Sequence, residues 1–411
     1  MGIIAAAIFV SLLFIYALLS GKASQTPITA PLLFTAAGMV MSPLWIHIAD
    51  AGVTANVFLR LAELGLVLLL FTDASRTDLT VLRNIGTLPG RLLSTGMLLT
   101  ILLGGIVARL VFPSLSIWEA GILSAILAPT DAGLGQVVVT SPRVPTRVRE
   151  ALNVEAGLND GLSVPFLLFF MALAAAKIEG GAASLLQFIG EQLGLGVVVG
   201  LGVGLLGGWL LRVARRRGWI AESFQQIGVV TLPLLCLLLA EMVDASMFIA
   251  SFVAGLAVQI PFKDAGTHSF EFAEEWGQMF NLAVFFLFGM IVVRDWSQFT
   301  RSSWVYAVLS LTVVRIIPVA VALIGTRLSR PTVLFMGWFG PRGLASIVLG
   351  LVYLEQELHL PSESAIRAAV MLTVVLSIFV HGLSAMPGIS TYARKVATLS
   401  PSAPERQEIG T

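Results

Sequence analysis

The sequence predicts an all-α polytopic membrane protein with about 13 transmembrane helices. Of its 411 residues, 57% are apolar and only 12% are charged, with a mean hydropathy of +0.91, whereas soluble domains carry roughly 25% charged residues. The apolar residues also fall into runs of about 20, the length that an α-helix needs to cross about 30 Å of hydrocarbon. The net charge of +1 argues against a nucleic-acid partner. The single cysteine, Cys236, excludes an internal disulfide.

Thirteen apolar runs can be followed in order along the chain, and the third and ninth are short. Each run is bounded by polar, charged, Pro or Gly residues, which is typical of the ends of transmembrane helices. The runs are 2–19, 27–46, 57–72, 88–112, 118–139, 150–176, 185–212, 224–242, 245–261, 276–293, 303–327, 333–354 and 364–386.

The basic residues between these runs predict the orientation in the membrane. Seventeen of the 25 Lys and Arg residues fall on one side, six fall on the other, and Arg315 and Arg342 lie inside runs. Because basic residues accumulate in short cytoplasmic loops, this asymmetry predicts an N-terminus outside and a C-terminus inside.

Two of the runs are interrupted at positions seven spans apart. In span five the segment 128–135 contains Pro129, Asp131 and two glycines, and in span twelve the segment 339–344 contains Pro341 and Arg342 between glycines. Proline removes a backbone hydrogen bond, so both helices are expected to unwind there. The spacing predicts two inverted six-helix repeats around a central helix, with the unwound helices crossing near the midplane. Asp131 would offset the positive helix ends at the crossing and Arg342 the negative ends.

Ionisable residues in two other runs indicate a functional site. Span six carries Glu155, Asn159 and Asp160, and span eleven carries Arg315. Charged side chains in hydrocarbon cost at least a few kcal/mol unless they are paired or hydrated, so they indicate function by default. Arg315 cannot readily lose its charge and needs a partner, for which Glu155 is the obvious residue. Desolvation disfavours the charged form of a carboxylate, so Asp160 could hold either a proton or a small cation near neutral pH.

These motifs together resemble the monovalent cation:proton antiporters, specifically the NhaP-like sodium/proton branch with an Asn-Asp motif. The resemblance rests on Pro129-Thr130-Asp131, on Glu155 with Asn159-Asp160, on Arg315 and on Gly340-Pro341-Arg342-Gly343, and it covers essentially the whole chain. It implies that Asp160 is the main exchange carboxylate and that Na⁺ is held by Asp160, Asp131 and Thr130. It also implies a structural ion pair between Glu155 and Arg315, charge compensation by Arg342, and supporting roles near the ion for Asn159 and Asp73.

The resemblance further implies an electroneutral sodium or lithium/proton antiporter of the cell (inner) membrane, with no cofactor and no enzymatic activity. Related electrogenic exchangers carry a second Asp where this chain has Asn159, and Arg315 neutralises Glu155, so one proton exchanges for one cation. The lipid bilayer and a second copy of the chain are the expected partners. The expected organisation is one transmembrane domain, 1–393, with a core of 88–176 and 303–387, a dimerisation scaffold of 1–73 and 185–293, and a short cytoplasmic tail, 394–411.

Three alternatives stay open at this point. A potassium/proton antiporter, or a ligand-gated efflux system, would use the same scaffold. An intramembrane aspartyl protease would also need two intramembrane Asp residues, as Asp131 and Asp160 are, although Gly133-Leu134-Gly135 is followed by Gln136 and not by Asp.

The chain departs from the antiporter branch at Ala156, where many relatives carry Ser; Ser163, Asn153 or a water could replace the missing oxygen. The sequence does not rank lithium, sodium and potassium.

Overall fold

The computed structural model describes residues 3–23, 26, 28–45, 51–76, 87–179, 190–262, 267–356, 358, 360–400 and 403–406. Within these ranges the chain is helical, with short turns between the helices. One set of helices, which we call the scaffold set, packs mainly within itself. It comprises α1 (Ile3–Ala23), α2 (Ala30–Trp45), α3 (Ala51–Arg76), α8 (Gly196–Arg216), α9 (Glu222–Met242), α10 (Met247–Val258) and α11 (Thr267–Arg294).

The remaining helices form a second set, which we call the core set. It comprises α4 (Leu88–Val111), α5 (Ile117–Ile126), α6 (Ala132–Thr140), α7 (Thr146–Glu179), α12 (Arg301–Leu311), α13 (Val313–Ala322), α14 (Arg330–Trp338), α15 (Leu344–Glu355) and α16 (Glu363–Ala397). The two sets meet where α3 packs against α7 and α15. Their common interior is an apolar cluster that contains side chains of both sets.

Two helices are interrupted where the sequence predicts it. Residues 127–131 separate α5 from α6, and residues 339–343 separate α14 from α15. Ser116 begins α5 with a capping box, in which Ser116 Oγ accepts from the Glu119 N–H and Glu119 accepts from the Ser116 N–H. Helices end at these points because Pro129 and Pro341 cannot donate to the preceding turn. The interruptions leave half-helix ends in the interior of the core set.

Two irregularities lie outside the predicted breaks. Thr312, with φ −113° and ψ −84°, interrupts the eleventh run between α12 and α13. Residues Leu92–Gly96 of α4 form a π-helical turn. Neither segment contains proline, the residue that most often marks an irregularity in a helix.

Side-chain contacts define the two faces of the molecule. Arg147 Nη1 donates to the carbonyl of Pro404 (2.9 Å), and the Ser329 N–H donates to Glu405 (2.6 Å); we call the side on which these residues meet the basic face. On the opposite face the Ser362 N–H donates to Glu119 (3.0 Å). Helix α16 continues to Ala397, three residues beyond the predicted start of the tail at 394. The basic residues Arg394 and Lys395 lie in its last turn, where they interact favourably with the helix dipole.

Each of the thirteen predicted runs overlaps a helix or an interrupted pair of helices among the described residues. In the described part of the chain, eight helices are long and apolar enough to cross a membrane by length and composition. The class of the fold, all-α and polytopic, is therefore confirmed, and the count of thirteen spans and the inverted repeat stay predictions.

Candidate functional site

The carboxylate of Asp131 joins the two interrupted helices. Asp131 is the N-cap of α6, where its Oδ1 accepts from the Leu134 N–H at 2.9 Å. Its Oδ2 accepts from the N–H of Leu344, the first residue of α15, at 2.7 Å. The Asp131 N–H also donates to the carbonyl of Pro341 at 2.8 Å. One negative charge thus faces the positive ends of two half-helices, where it is stabilising.

Arg342 lies at the C-terminal end of α5, the first half of the first interrupted helix. Its side chain is fully buried, and its Nη1 donates to the carbonyls of Ala128 (2.6 Å) and Pro129 (2.9 Å), which follow α5. The Arg342 N–H donates to Ser377 Oγ of α16 at 2.6 Å. The guanidinium therefore satisfies carbonyls that unwinding leaves without intrahelical partners.

Two glycines allow the charged side chains to approach the unwound backbone. An added Cβ at Gly343 would lie 2.0 Å from Asp131 Oδ2, and one at Gly340 would lie 2.2 Å from Arg315 Nε. Real Cβ atoms do not come so close to other atoms, so any larger residue at either position would displace a charged group. The glycines beside Pro341 and Arg342 are required by packing at this site.

Glu155 of α7 and Arg315 of α13 form a buried bidentate ion pair. Arg315 Nη1 and Nη2 donate to the two carboxylate oxygens at 2.5 and 2.9 Å, and both residues are buried. The break at Thr312 lies one turn before Arg315 and the Gly340 backbone lies against its guanidinium. Bidentate geometry is the strongest form of this interaction and fixes α7 relative to α13.

The next turn of α7 brings Asn159 and Asp160 to the crossing. Asn159 Nδ2 donates to Thr130 Oγ1 at 2.7 Å, and both side chains are buried. Buried oxygens with no hydrogen-bond partner among the described residues include Asn159 Oδ1 and Asp160 Oδ1. Asp160 interacts electrostatically with Asp131 and Asp73. Two orphaned buried oxygens beside a negatively charged group are suited to an alkali cation or, on the carboxylate, a proton.

A small cavity lies beside the crossing, on its basic-face side. Thr130, Asp131 and Pro341 line its inner end, and Val138 and Leu152 line it farther along α6 and α7. Ala156, the position where the resemblance expects Ser, also lines this cavity. Of the proposed replacements, Ser163 is buried and donates to the Asp160 carbonyl at 2.7 Å, and Asn153 is exposed.

Asp73 lies at the junction of the two helix sets. An added Cβ at Gly157 of α7 would lie 3.4 Å from the Asp73 Cβ, so the end of α3 packs closely beside the Asp160 turn. Asp73 also interacts electrostatically with Asp131, Glu274 and Arg76. The structure therefore brings together the site residues that the sequence nominates, apart from Asn153, which is exposed. It adds Ser377, which holds the backbone of Arg342 and which no local sequence signal indicates.

Comparison with known proteins establishes the family of the chain. The sequence profile of the family described as "Sodium/hydrogen exchanger, transmembrane" matches residues 8–389. The chain belongs to this family. Members are secondary transporters, so the protein is a transporter and not an enzyme. The protease alternative is thereby set aside.

Similar proteins include antiporters from fungi and bacteria. The chain is 25% identical over 346 residues to a Na⁺/H⁺ antiporter of Schizosaccharomyces pombe, covering 74% of this chain and 72% of the relative. It is 28% identical over 200 residues to the K⁺/H⁺ antiporter NhaP2 of a Shewanella species, covering 47% of this chain and 33% of the relative. In several other relatives the match covers less than half of the relative's own length.

Solved structures share the fold. The sodium proton antiporter MjNhaP1 from Methanocaldococcus jannaschii at pH 8 superimposes with a TM-score of 0.72 at 19% identity, covering 93% of this chain and 100% of that one. At this identity the similarity establishes the fold alone.

Proposed function

We propose that the protein is an electroneutral sodium/proton antiporter in which one sodium or lithium ion and one proton compete for Asp160. The observation that supports this function is the buried Asp160 carboxylate, whose Oδ1 has no partner among the described residues and lies beside the crossing of two interrupted helices. An uncompensated buried carboxylate is costly, and either a proton or a cation would neutralise it.

The neighbouring groups fit a dehydrated alkali cation. Asn159 supplies a carbonyl-type oxygen without a partner, Thr130 supplies a hydroxyl, and Asp131 supplies negative charge while it caps both half-helices. Glu155 takes no part in the exchange, because both its oxygens are engaged by Arg315. One positive charge therefore replaces another at Asp160, and the charge of the site is the same in both loaded states.

Small residues on α7 favour movement of the core set against the scaffold set. Gly157 lies beside Asp73 of α3, and an added Cβ at Gly161 would lie 2.3 Å from the Phe252 ring of α10. We expect the site to move along this close contact, and an unneutralised Asp160 would pass the Phe252 side of it only at a high desolvation cost. Rigid-body motion of the core set would expose Asp160 to each face in turn.

The surroundings of the protein belong to the same proposal. We place it in the cell membrane with its basic face toward the cytoplasm, its N-terminus outside and its C-terminus inside, because basic residues favour the cytoplasmic side. The scaffold set would form the interface of a homodimer. Residues 88–176 and 303–387 would carry the moving site.

A potassium/proton antiporter is the second candidate. The similarity to a K⁺/H⁺ antiporter NhaP2 supports it. Ala156 also lacks the side-chain oxygen of Ser, so one ligand that could set the selectivity between sodium and potassium is missing. The same site chemistry serves either ion.

The decisive experiment uses purified protein in proteoliposomes with a preset pH gradient. Sodium, lithium or potassium is added, and proton movement is followed with an internal pH dye for wild type, Asp160→Asn and the control Asp244→Asn. Asp244 is an exposed carboxylate in the turn after α9. We expect sodium and lithium to dissipate the gradient in wild type and in the control, and Asp160→Asn to show no response.

Electroneutrality is tested by clamping the membrane potential with valinomycin and potassium. An exchange rate that is independent of the clamped potential is expected. A potential-dependent rate would reject electroneutral exchange. In the pH-gradient experiment, a response to potassium alone would favour the second candidate. Exchange that persists in Asp160→Asn would show that Asp160 is not the exchange carboxylate.

A further inference from the structure

A second carboxylate site lies ten residues before Asp73 on α3. Glu63 is 1% exposed, and its Oε2 accepts from Arg60 Nη1 at 3.0 Å. Arg60 Nη1 also lies 3.5 Å from Glu241 Oε1 of α9. Glu355, at the end of α15, interacts electrostatically with both Arg60 and Glu63. Two carboxylates thus contact one guanidinium, and a third lies within electrostatic range, where the scaffold set meets the core set.

Glu63 is not satisfied by this arrangement. Its Oε1 is buried and has no hydrogen-bond partner in the part of the chain that the structure describes. A buried carboxylate oxygen without a donor costs free energy comparable to a lost charged hydrogen bond. The orphaned oxygen is therefore suited to a ligand that carries positive charge.

Access to Glu63 comes from the face opposite to the cavity. Glu355 lies seven residues before Ser362, which marks the opposite face, and the side chains of Arg60 and Glu241 are 55% and 50% exposed. A buried carboxylate thus lies beneath exposed charged groups with an excess of negative charge. Such an arrangement raises the local concentration of cations.

The position along α3 relates Glu63 to the exchange site. At 1.5 Å per residue, Glu63 lies about 15 Å from Asp73 along the helix axis. Asp73 lies beside Gly157 of the core helix α7, and Glu63 interacts with the end of the core helix α15. Both acidic residues of α3 therefore lie near the core set, which carries Asp160. Asp73 is nearer the basic face and Glu63 is nearer the opposite face.

We propose that Glu63 is a second binding site for the transported monovalent cation, occupied when the core set faces the side opposite to the basic face. Movement of α15 away from α3 would open Glu63 to water, and a cation would then bind at its unpaired Oε1 while Arg60 stays at Oε2. Glu241 and Glu355 attract the cation and Glu63 binds it. This inference rests on the proposed antiport function and adds an entry site to it.

The test measures the apparent KM for sodium from each face, with right-side-out and everted vesicles from the same cells. The variants are Glu63→Gln, Glu355→Gln and the control Asp244→Asn, which removes an exposed negative charge three residues from Glu241. We expect Glu63→Gln to raise the KM at the opposite face about fivefold, which corresponds to about 1 kcal/mol, with the KM at the basic face unchanged. Glu355→Gln should give a smaller increase at the same face, and the control none.

The outcomes separate this inference from the proposed function. A purely structural Glu63 would lower the maximal rate or the amount of folded protein and alter both faces equally, and that result overturns the entry site. Exchange with an unchanged KM in Glu63→Gln overturns it as well. Exposed Glu355 provides a variant that does not disturb packing, so an unchanged KM in Glu355→Gln would reject the attraction of cations by this cluster even if Glu63→Gln failed to fold. Wild type without exchange would instead defeat the proposed function.

Discussion

Asp131 of one interrupted helix accepts a hydrogen bond from the N–H of Leu344, the first residue of the second half of the other interrupted helix, at 2.7 Å. The same carboxylate caps its own helix through Leu134. The two half-helices therefore begin at one shared negative charge. Their relative position depends on a side chain and not only on apolar packing.

Replacing Asp131 by Asn tests this shared cap. The amide keeps one acceptor oxygen but presents an NH₂ group to the second N–H donor, so one hydrogen bond and the charge are lost. We expect a loss of about 1–2 kcal/mol of stability, measured as a lower Tm of the purified protein in detergent. A Tm equal to that of the exposed control Asp244→Asn would contradict the shared cap.

Gly343→Ala tests the close approach between the unwound backbone and Asp131. The added Cβ would lie 2.0 Å from Asp131 Oδ2, so the carboxylate or the backbone must shift. We expect exchange to fall at least about tenfold, because small misplacements at a site of this kind cost large factors in rate. The matched control is Gly202→Ala, where a Cβ meets no atom within 4 Å; equal activities of the two variants would refute the argument.

Glu155→Gln tests the buried ion pair with Arg315. Removing one partner leaves a buried guanidinium without its counter-charge, which typically costs about 3–5 kcal/mol. We expect a large fall in Tm and in the yield of folded protein. The double variant Glu155→Leu/Arg315→Met should recover much of that stability without recovering transport. A double variant that is no more stable than Glu155→Gln would show that the pair contributes through other contacts.

The sequence alone predicts the parts of this site whose signal is local. Pro129 and Pro341 each lie beside a charged residue and glycines, a combination that marks an unwound helix, whereas Pro165 and Pro387 lie inside continuous helices. An Arg in an apolar run must find a carboxylate, so the crossing and the Glu155–Arg315 pair follow from residue type and spacing. The interactions of Asp131 and Arg342 with helix ends follow for the same reason, since each is a charge beside an unwound turn.

Other parts depend on contacts between distant residues. Ser377 lies 35 residues from Arg342, and Glu405 lies 76 residues from Ser329; each becomes a partner only after the helices have packed. The break at Thr312 has no Pro or Gly to announce it. Glu63 lies in the middle of α3, three residues after Arg60, and its sequence surroundings indicate an ordinary i,i+3 ion pair until its burial and its neighbours on α9 and α15 are known.

Ala156→Ser tests the path from the cavity to the ion. Ala156 lines the cavity beside Thr130 and Asp131, so a hydroxyl there would add an oxygen close to the cation. We expect the apparent KM for sodium to fall about threefold, a change worth less than about 1 kcal/mol. The control is Ala174→Ser, a buried position of the same helix away from the cavity. An equal change in both variants would indicate a general effect of serine in α7.

Glu405 provides a prediction about pH at the basic face. It is 2% exposed and accepts from the Ser329 N–H (2.6 Å) and from Thr332 Oγ1 (3.0 Å), so it supplies the cap that Ser329 lacks at the start of α14. Burial raises the pKa of Glu405, but these hydrogen bonds outweigh burial and hold the pKa below its ordinary value. The charged form is thus favoured by folding.

A group whose pKa is lower in the folded state stabilises the fold above its unfolded pKa, and this contribution disappears as the pH falls through the folded pKa. Glu405→Gln should therefore cost about 1 kcal/mol at pH 7. The difference in Tm from wild type should shrink once the pH falls below about 4.3, the ordinary pKa of Glu, and vanish below the lower pKa of the folded state. Glu150→Gln, an exposed carboxylate near the same face, is the control and should show no difference at either pH. A Tm difference for Glu405→Gln that is independent of pH would mean that its packing, and not its charge, holds the tail against α14.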